Sequence, residues 1–355
     1  MTRKLTSLDI ARLAGVSQST VSRVLRQLPN VDDQTREHVL RVIRQHRYTP
    51  NAAARSMKTN RSGNVAVVVA NLDNPLYPAL LHHLVEQLAR RGLRATVWEP
   101  AAGLDANMAR AIAESPVDGV IFATAVDAAR QEHEFIAQSK PVILMNRSLS
   151  TRTFDAVVSD NAAGGALVAK FFAQAGKRNV GLISGHSSAS TIVERKRGFM
   201  RELARHPGVC CHASAQEFDV FTYENGYRAA RELLARHPAI DALFCSNDIL
   251  AIGAQDGARA AGRAVPGDMW VVGYDDIPMA GWDAIGLTTV RQPLESMTAQ
   301  AVERLCLRMA QPDLPPRTVK LDNALVQRRS TAAGGGQPSG DHSGDQSASM
   351  ALKVT

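Results

Sequence analysis

Apolar residues in the first 47 positions recur at the spacing of three short amphipathic helices. Thr6 or Ser7 is placed to cap the first helix, and Gly15 suits the left-handed turn that follows it. Ser17 and Asp32 are placed to cap the second and third helices. The residues expected to face a common core are Leu5, Leu8, Ile10, Leu13, Ala14, Val21, Val24, Leu25, Val39, Leu40, Val42 and Ile43.

From Val65 onward the pattern changes, because short continuous apolar runs alternate with helical stretches. The runs cover 65–70, 94–97, 119–123, 142–145, 157–159, 180–183, 242–245 and 270–272. Continuous apolar strands separated by helices are typical of parallel sheets covered on both faces. The pattern extends over roughly 260 residues, more than one core comfortably holds, so we expect two α/β subdomains with a cleft between them.

The segments that flank this body have a different composition. Pro50 suits the first turn of a further short helix that ends at Lys58, and a polar linker follows it. After about Thr331 the chain is rich in Gly and Ser and is expected to be disordered. We therefore divide the chain into a helical headpiece at 1–49, a hinge helix and linker at 50–63, a two-subdomain body at 64–331 and a tail at 332–355.

The net charge of +7 is concentrated in the first 63 residues, which carry twelve basic and four acidic side chains. This segment alone has a net charge of +8, and the other 292 residues have a net charge of −1. A basic excess confined to one end is the electrostatic footprint of a nucleic-acid-binding module attached to a neutral body. A basic tail without function would lack the apolar periodicity found here.

The segment from Asp9 to Leu25 has the residue pattern of a helix-turn-helix, with small Ala11 at the helix crossing and Gly15 at the turn. The second helix of such a motif enters the major groove with its N-terminal residues at the base edges. Arginine pairs with guanine and glutamine with adenine, whereas short hydroxyls suit phosphate. The residues expected to read bases are Gln18, Ser19, Ser22 and Arg23, and those expected to bind phosphate are Ser17 and Thr20.

A plain helical bundle with polar surface residues is the alternative, and a family resemblance argues against it. The motifs that carry the resemblance are Val16-Ser17-x-x-Thr20-Val21-Ser22-Arg23-Val24-Leu25, Thr35-Arg36 and Tyr48-x-Pro50-Asn51-Ala52-x-Ala54-Arg55-Ser56. They resemble the lactose/galactose/purine repressor family of bacterial transcriptional regulators. The resemblance implies that the chain binds a double-stranded DNA operator.

In that family the segment that matches 50–58 is a hinge helix, which folds on DNA and enters the minor groove beside its partner in a dimer. The resemblance places Asn51, Ala52, Ala53 and Arg55 against DNA and Met57 where an apolar side chain, usually leucine, wedges between base steps. Methionine is apolar and flexible, so it is able to wedge in the same way. Ordinary linker packing is the alternative role for Met57.

Further family motifs follow in order through 5–331 and imply a body that resembles type I periplasmic sugar-binding proteins. They are Asn74-Pro75-Leu76-Tyr77, Asp160-Asn161-x-x-Gly164, Arg195-x-x-Gly198-Phe199, Ser246-Asn247-Asp248, Gly273-Tyr274-Asp275-Asp276 and the crossing segment Leu287 to Pro293. In such proteins two subdomains close on a small ligand, at the carboxyl ends of the strands. The resemblance matches Arg195, Asn247 and Asp275 to positions that bind the ligand's polar groups, and Phe221 to an aromatic that stacks on its apolar face. Thr191 and Asn161 are further candidates for the site, and Tyr77 and Thr124 are candidates for the wall formed by the other subdomain.

Structural roles remain open for four of these residues. Asn247 and Asp275 follow strands and could cap the next helices. Arg195 could form a structural ion pair, and Phe221 could belong to the core rather than stack on a ligand. Trp282 could line the cleft, but burial in the core or in an interface is at least as consistent with its sequence context.

The resemblance predicts a ligand-responsive regulator, most simply a repressor, whose effector is a sugar or sugar derivative, with a purine or another metabolite left open. The resemblance and the need to bind two half-sites imply a homo-oligomer, and a dimer is favoured over the family's tetramers because residues 332–355 contain no leucine heptad. The alternatives are a solute-binding protein of a transport system and an α/β enzyme. The basic headpiece, together with the lack of an apolar signal region after Met1–Lys4, argues against a solute-binding protein and favours a cytoplasmic location.

Nothing in the sequence favours catalysis, a cofactor or a membrane. The phosphate-loop, dinucleotide-binding, nucleophile-elbow and zinc-protease motifs are all missing. The four cysteines show no zinc spacing, and we expect them to be reduced and mostly buried. No run of about 18 apolar residues is present, so no membrane-spanning helix is expected.

Overall fold

The computed structural model describes residues 5–49, 61–100, 103–185, 189–213 and 220–331. The chain divides into two compact units, residues 1–63 and residues 64–355. The first unit is a small helical headpiece. The second is an α/β body with two parallel sheets, so the predicted fold class is confirmed.

The headpiece contains three helices, α1 (Ser7–Leu13), α2 (Gln18–Leu25) and α3 (Asp33–Gln45). Thr6 and Asp9 form a capping box at the start of α1, and Ser17 and Asp32 accept hydrogen bonds from the amides of the next two helices. Gly15 has φ +64°, the left-handed turn predicted between α1 and α2. The three predicted helices and their caps are therefore confirmed.

The expected core of the headpiece was partly wrong. Ile10, Ala11 and Val21 are buried as a helix crossing requires, but Leu5, Leu8, Leu13 and Leu40 are between 37% and 48% exposed. At 100° per residue, Leu8 and Leu13 lie roughly 110° from the centre of the buried stripe on α1. A two-turn helix packed on one side buries only the middle of its apolar face, so these leucines remain at its margins.

The body contains twelve strands among the residues described. They are β1 (Asn64–Val68), β2 (Arg94–Trp98), β3 (Gly119–Phe122), β4 (Val142–Met145), β5 (Asp155–Ser159), β6 (Asn179–Ile183), β7 (Cys210–Ala213), β8 (Ala242–Cys245), β9 (Trp270–Asp275), β10 (Thr288–Arg291), β11 (Thr318–Leu321) and β12 (Ala324–Val326). The helices around them are α4 (Leu76–Arg90), α5 (Ala106–Glu114), α6 (Arg130–Ala137), α7 (Asn161–Gln174), α8 (Ser190–Leu203), α9 (Tyr223–Arg236), α10 (Asp248–Ala260) and α11 (Leu294–Ala310), with short 3-10 helices at Asp127–Ala129 and Pro278–Gly281.

The strands form two six-stranded sheets, one in each subdomain. The first has the order β11-β5-β4-β3-β1-β2 and is parallel throughout. The second has the order β12-β10-β9-β8-β6-β7, with only β12 antiparallel. Apolar clusters cover both faces of each sheet, as parallel strands require.

Three segments cross between the subdomains. The chain leaves the first sheet after β5, returns to it after β10 and leaves it again after β11. Asn323 donates from Nδ2 to the carbonyl of Asp160 over 2.8 Å, which ties the third crossing to the first. The first and third crossings are therefore hydrogen-bonded to each other, and the three crossings together are called the hinge region below.

The eight apolar runs all became strands, with ends shifted by up to three residues. Four further strands, β7, β10, β11 and β12, were not predicted as strands. β7 and β12 are edge strands, β7 contains Cys-Cys-His, and β11 (Thr-Val-Lys-Leu) alternates between buried and exposed positions. Strands of this kind carry too short an apolar signal to be recognised. In the described part of the chain no helix is long and apolar enough to cross a membrane.

Candidate functional site

The first candidate site is the exposed face of α2. Ser17, Gln18, Ser19 and Arg23 are exposed, and Thr20 and Ser22 are partly buried. The Ser17 hydroxyl accepts from the amide of Thr20 over 3.1 Å, which fixes the start of the helix. Val21 and Val24 anchor the opposite face in the core, so the polar face is presented on a rigid element.

Gln18 and Arg23 on this face differ in whether their side chains already have a hydrogen-bond partner. Gln18 donates from Nε2 to the Ser7 hydroxyl over 2.8 Å, so its amide is engaged across the turn with α1. Arg23 makes no side-chain hydrogen bond or ion pair with any residue in the described ranges. Its guanidinium is therefore available, whereas Gln18 must exchange Ser7 for any new partner. Asn51, Ala53, Arg55 and Met57 lie outside the described residues.

The second candidate site is a buried polar cluster around Arg195 in the body. Arg195 donates from Nε to Oδ1 of Asn161 over 2.9 Å and from Nη1 to the carbonyl of Ser246 over 2.6 Å. Its Nη2 lies 2.9 Å from Oδ1 of Asp275, and its guanidinium lies 3.6 Å from the centroid of the Tyr274 ring. Every arm of this buried cation thus has a partner, as burial of a charge requires.

Close helix packing brings these residues together. A Cβ on Gly198 of α8 would lie 1.9 Å from the carbonyl oxygen of Ala162 in α7, so only glycine allows this approach. Arg195 stands one turn earlier on α8 and Asn161 begins α7, which places their side chains in contact. Asp275 ends β9 with φ +117°, a strained conformation for a side-chain-bearing residue and one that recurs at functional sites.

The cluster extends to Gln292 and Ser159, which sequence reasoning missed. Gln292 donates from Nε2 to Oδ1 of Asp275 over 2.7 Å, and its Oε1 accepts from the Ser159 hydroxyl over 2.8 Å. Ser159 lies at the first crossing and Gln292 at the second. The only available signal was the position of Gln292 within the crossing motif that ends at Pro293.

The electrostatics of the cluster follow from its burial. Burial raises the pKa of Asp275 above its ordinary value, and Arg195 acts in the opposite direction. The neighbouring Asp248 is fully buried. Desolvation, and after it repulsion from Asp275 as the second-largest cause, raises the pKa of Asp248 well above its ordinary value. Asp248 accepts from the Thr289 hydroxyl and from the amide of Ile277, so it fastens α10 to the second sheet rather than facing a ligand.

Several polar atoms of the cluster have no hydrogen-bond partner in the ranges that the structure describes, and the Ser246 hydroxyl is one of them. Both hydrogen bonds of Asp275 go to Oδ1, which leaves Oδ2 open. Asn247 caps α10 by accepting from the amide of Leu250 over 3.0 Å, which leaves its Nδ2 open. Both residues stand at carboxyl ends of strands in the second sheet, where α/β proteins bind ligands.

The remaining predicted site residues are more dispersed. Thr191 is buried in the first turn of α8, and Phe221 is partly buried against the apolar core below α9. Tyr77 and Thr124 stand on the first subdomain, after β1 and β3. The structure thus joins Asn161, Arg195 and Asp275 directly. Trp282 is 59% exposed, so it does not belong to the core.

The remaining candidate features are metal ligands, cysteines and a buried histidine. Within the described ranges no group of three or more His, Cys, Asp or Glu side chains is placed to hold a metal ion. All four cysteines are free, but only Cys245 is buried, so the expectation of mostly buried thiols was wrong: Cys211 and Cys306 are partly buried and Cys210 is exposed. His133, which the sequence did not single out, is buried between Phe122 and Phe154 and bonded to the carbonyl of Ala129.

A helix-turn-helix headpiece joined to a body of this kind defines a DNA-binding regulator with a ligand-binding body. Comparison with known proteins agrees. Residues 6–51 match the lacI family of bacterial regulatory proteins, and residues 169–331 match the periplasmic binding protein-like domain. The ribose operon repressor of Haemophilus influenzae is 31% identical over 91% of this chain and 97% of its own length. The HTH-type transcriptional repressor PurR of Photobacterium profundum is 30% identical over 91% of this chain and 97% of its own length.

Solved structures give the same result. The complex of the transcriptional regulator CelR with cellobiose is 29% identical, with a TM-score of 0.67 over 92% of this chain and all of that one. The lac repressor dimer bound to operator and an anti-inducer has a TM-score of 0.81 over 93% of this chain and all of that one, at 24% identity, which shows the fold. The chain belongs to the lacI family of bacterial regulatory proteins. Its relatives are transcriptional repressors, so it is a transcriptional regulator and not an enzyme.

Proposed function

We propose that the protein is a repressor that binds a pseudo-palindromic operator as a dimer and is controlled by a small metabolite held between the subdomains of its body. The observation that carries the proposal is the Arg195 cluster. It presents open polar atoms at the strand ends of the second sheet, and it is hydrogen-bonded to two of the three crossings between subdomains. A ligand that binds these atoms also acts on the hinge region.

The headpiece supplies the DNA-reading function. Arg23 is exposed and unpaired in the described part of the chain, on a helix whose other face is locked in the core. It is proposed to pair with a guanine in the major groove, with Gln18, Ser19 and Ser22 at neighbouring base edges and Ser17 and Thr20 on phosphates. Asn51, Ala53, Arg55 and Met57 are proposed as minor-groove contacts of the hinge segment.

The body supplies the effector site. Asp275 Oδ2 and Asn247 Nδ2 offer an acceptor and a donor, the pair of groups that orients a sugar hydroxyl or a heterocycle. Thr191, Phe221, Tyr77 and Thr124 are proposed to line the remainder of the cleft. A sugar or sugar derivative is the favoured effector, which the names of the ribose operon repressor and of the CelR–cellobiose complex support.

Control is proposed to act through the hinge region. Ser159, Gln292 and Asp275 form one chain of hydrogen bonds from the first crossing to the ligand-facing strand end. An effector that pulls on Asp275 changes this chain and biases the relative position of the two subdomains. That bias is proposed to reach operator DNA, which the chain meets in the cytoplasm, through the linker that joins the headpiece to the body.

The test of the proposed function is selection from a random duplex DNA library by the purified chain, followed by sequencing. The expected result is an enriched inverted repeat whose half-site centres lie roughly 10 base pairs, or a multiple of that, apart. Selection of no motif would refute sequence-specific binding. Selection of a single half-site without its inverted copy would refute the dimer.

A further inference from the structure

Two buried polar atoms without a hydrogen-bond partner in the described residues lie at the carboxyl end of β4, in the first subdomain. Asn146 follows β4 with φ +67°, is 3% exposed and has a buried Oδ1 without a partner in the described residues. Arg147 is partly buried, and its Nε is likewise enclosed and unpartnered there. Two adjacent residues thus hold an acceptor and a charged donor that the fold leaves unused, although such groups are costly to bury unbonded.

Arg147 differs from the other partly buried arginines that have no carboxylate partner. Arg36 donates to the carbonyls of Leu28 and Val31, and Arg263 donates to those of Pro238 and Ile240. These guanidiniums are satisfied by the fold. The side chain of Arg147 makes only one bond within the described ranges, from Nη2 to the Tyr77 hydroxyl over a long 3.4 Å.

The position of Arg147 places it at the boundary between the subdomains. β4 lies within the first sheet, between β3 and β5, and its carboxyl end is where a parallel sheet presents ligand-binding residues. The next residue, Ser148, donates from its amide to the Ser190 hydroxyl of α8 over 3.2 Å. Ser190 and Thr191 form the first turn of α8, so this end of β4 adjoins the helix that carries Arg195.

The geometry points to an anionic effector, a phosphorylated or carboxylated sugar, whose negative group pairs with Arg147 and whose hydroxyl donates to Asn146 Oδ1. This inference rests on the proposed function, because it names the chemical class that the same cleft takes. A guanidinium binds phosphate or carboxylate through parallel N–H donors, and Nε is one member of such a fork. The first turn of α8 adds the positive end of its helix dipole. Arg195 has no part in anion binding, since Asp275 already neutralises it.

The test uses inorganic phosphate as the probe of the anionic group and the intrinsic fluorescence of the full chain as the signal. All three tryptophans, Trp98, Trp270 and Trp282, lie in the body, so thermal unfolding followed by fluorescence is blind to phosphate bound by the basic headpiece. Melting temperatures are measured against phosphate, acetate and sodium chloride at matched ionic strength. The variants are Arg147→Gln and Arg147→Lys, with Arg152→Gln as an exposed control with the same loss of charge.

The expected result is that phosphate raises the melting temperature of the wild type and of Arg152→Gln, because a ligand of the native state stabilises it. Arg147→Gln is expected to need about tenfold more phosphate for the same shift, with Arg147→Lys between the two. If acetate raises the melting temperature as much as phosphate does, the anionic group of the effector is a carboxylate. If only phosphate raises the melting temperature, the group is a phosphate.

Equal stabilisation of all variants, or none beyond that of sodium chloride, would overturn the inference. Operator selection by the wild-type chain is a separate measurement. Its failure would refute the proposed function, whereas the phosphate response decides only the chemistry of the cleft.

Discussion

Arg195 and Asp275 form an ion pair of 2.9 Å at which both side chains are almost completely buried. The charge of each is balanced by the other in a region from which water is excluded. If Asp275→Asn removes the counter-charge, the guanidinium remains buried without compensation. We expect a loss of about 3–5 kcal/mol in the free energy of unfolding of the body, measured by urea titration.

A double-mutant cycle separates this charge effect from general disruption. Arg195→Met keeps an unbranched, largely apolar side chain, shorter than that of arginine, and removes the charge. The double variant with Asp275→Asn is expected to be less destabilised than the sum of the single variants by about 2 kcal/mol. Additive losses would show that the pair is not coupled, contrary to the geometry described here.

Gly164 on α7 is required by the Tyr274 ring. A Cβ at this position would lie 2.2 Å from the Tyr274 hydroxyl oxygen and 2.8 Å from two of the ring carbons. Gly164→Ala is expected to cost about 2–3 kcal/mol of stability because the ring beneath Arg195 is displaced. Tyr274→Phe in the same chain should restore part of the loss. Gly267→Ala, whose Cβ would meet only a side-chain carbon at 3.3 Å, serves as the control.

His133 makes the stability of the body depend on pH. Desolvation lowers its pKa below the ordinary value of 6.5, so the folded state binds this proton more weakly than the unfolded state does. Stability that is present above pH 6.5 is therefore lost as the pH falls below it. Between about pH 7.5 and 5.5 the wild type should lose more stability than His133→Asn, which retains a donor but does not titrate. His82→Asn, at an exposed histidine, should behave as the wild type; equal losses in all three chains would contradict the assignment.

The proposed dimer is expected to use an exposed apolar surface on the first subdomain. Val85 of α4 and Val97 of the edge strand β2 are 49% and 45% exposed, and α4 packs on β2. A lysine at Val97 would introduce charge into an interface formed there. Val97→Lys should raise the dimer dissociation constant about tenfold or more in sedimentation measurements. Phe135→Lys, at a residue of α6 with 43% exposure, should leave it unchanged, and a fully dimeric Val97→Lys chain would exclude this surface.

The sequence predicted those parts of the fold that have a strong local signal. The run Val65–Ala70 and the caps at Thr6, Ser17 and Asp32 depend only on nearby residues, and all are found in the structure. β11 was missed because its alternating Thr-Val-Lys-Leu becomes a strand only beside β5. The exposed Leu8 and Leu40 show the same limit, since which part of a helix is buried depends on its neighbours.

The sequence identified three residues of the Arg195 cluster but not the network that joins them. Asn161, Arg195 and Asp275 were identified from family motifs, and the structure brings them into contact. The bond between Ser159 and Gln292 joins residues 133 positions apart, and no local pattern indicates it. The capping role of Asn247 and the ion pair of Arg195 were both open alternatives. The structure shows both.

The central claim is that α2 reads a specific DNA sequence, and Arg23 tests it most directly. The measurement is fluorescence anisotropy of the selected operator and of a scrambled duplex at one fixed salt concentration, with wild type, Arg23→Ala and Arg26→Ala. We expect Arg23→Ala to lose about 1–3 kcal/mol of discrimination between the two duplexes, because a base contact is removed. Arg26→Ala should weaken binding to the operator and to the scrambled duplex equally, because it removes a charge that does not contact bases. If Arg23→Ala still separates operator from scrambled DNA as well as the wild type does, the assignment of α2 as the recognition helix is contradicted.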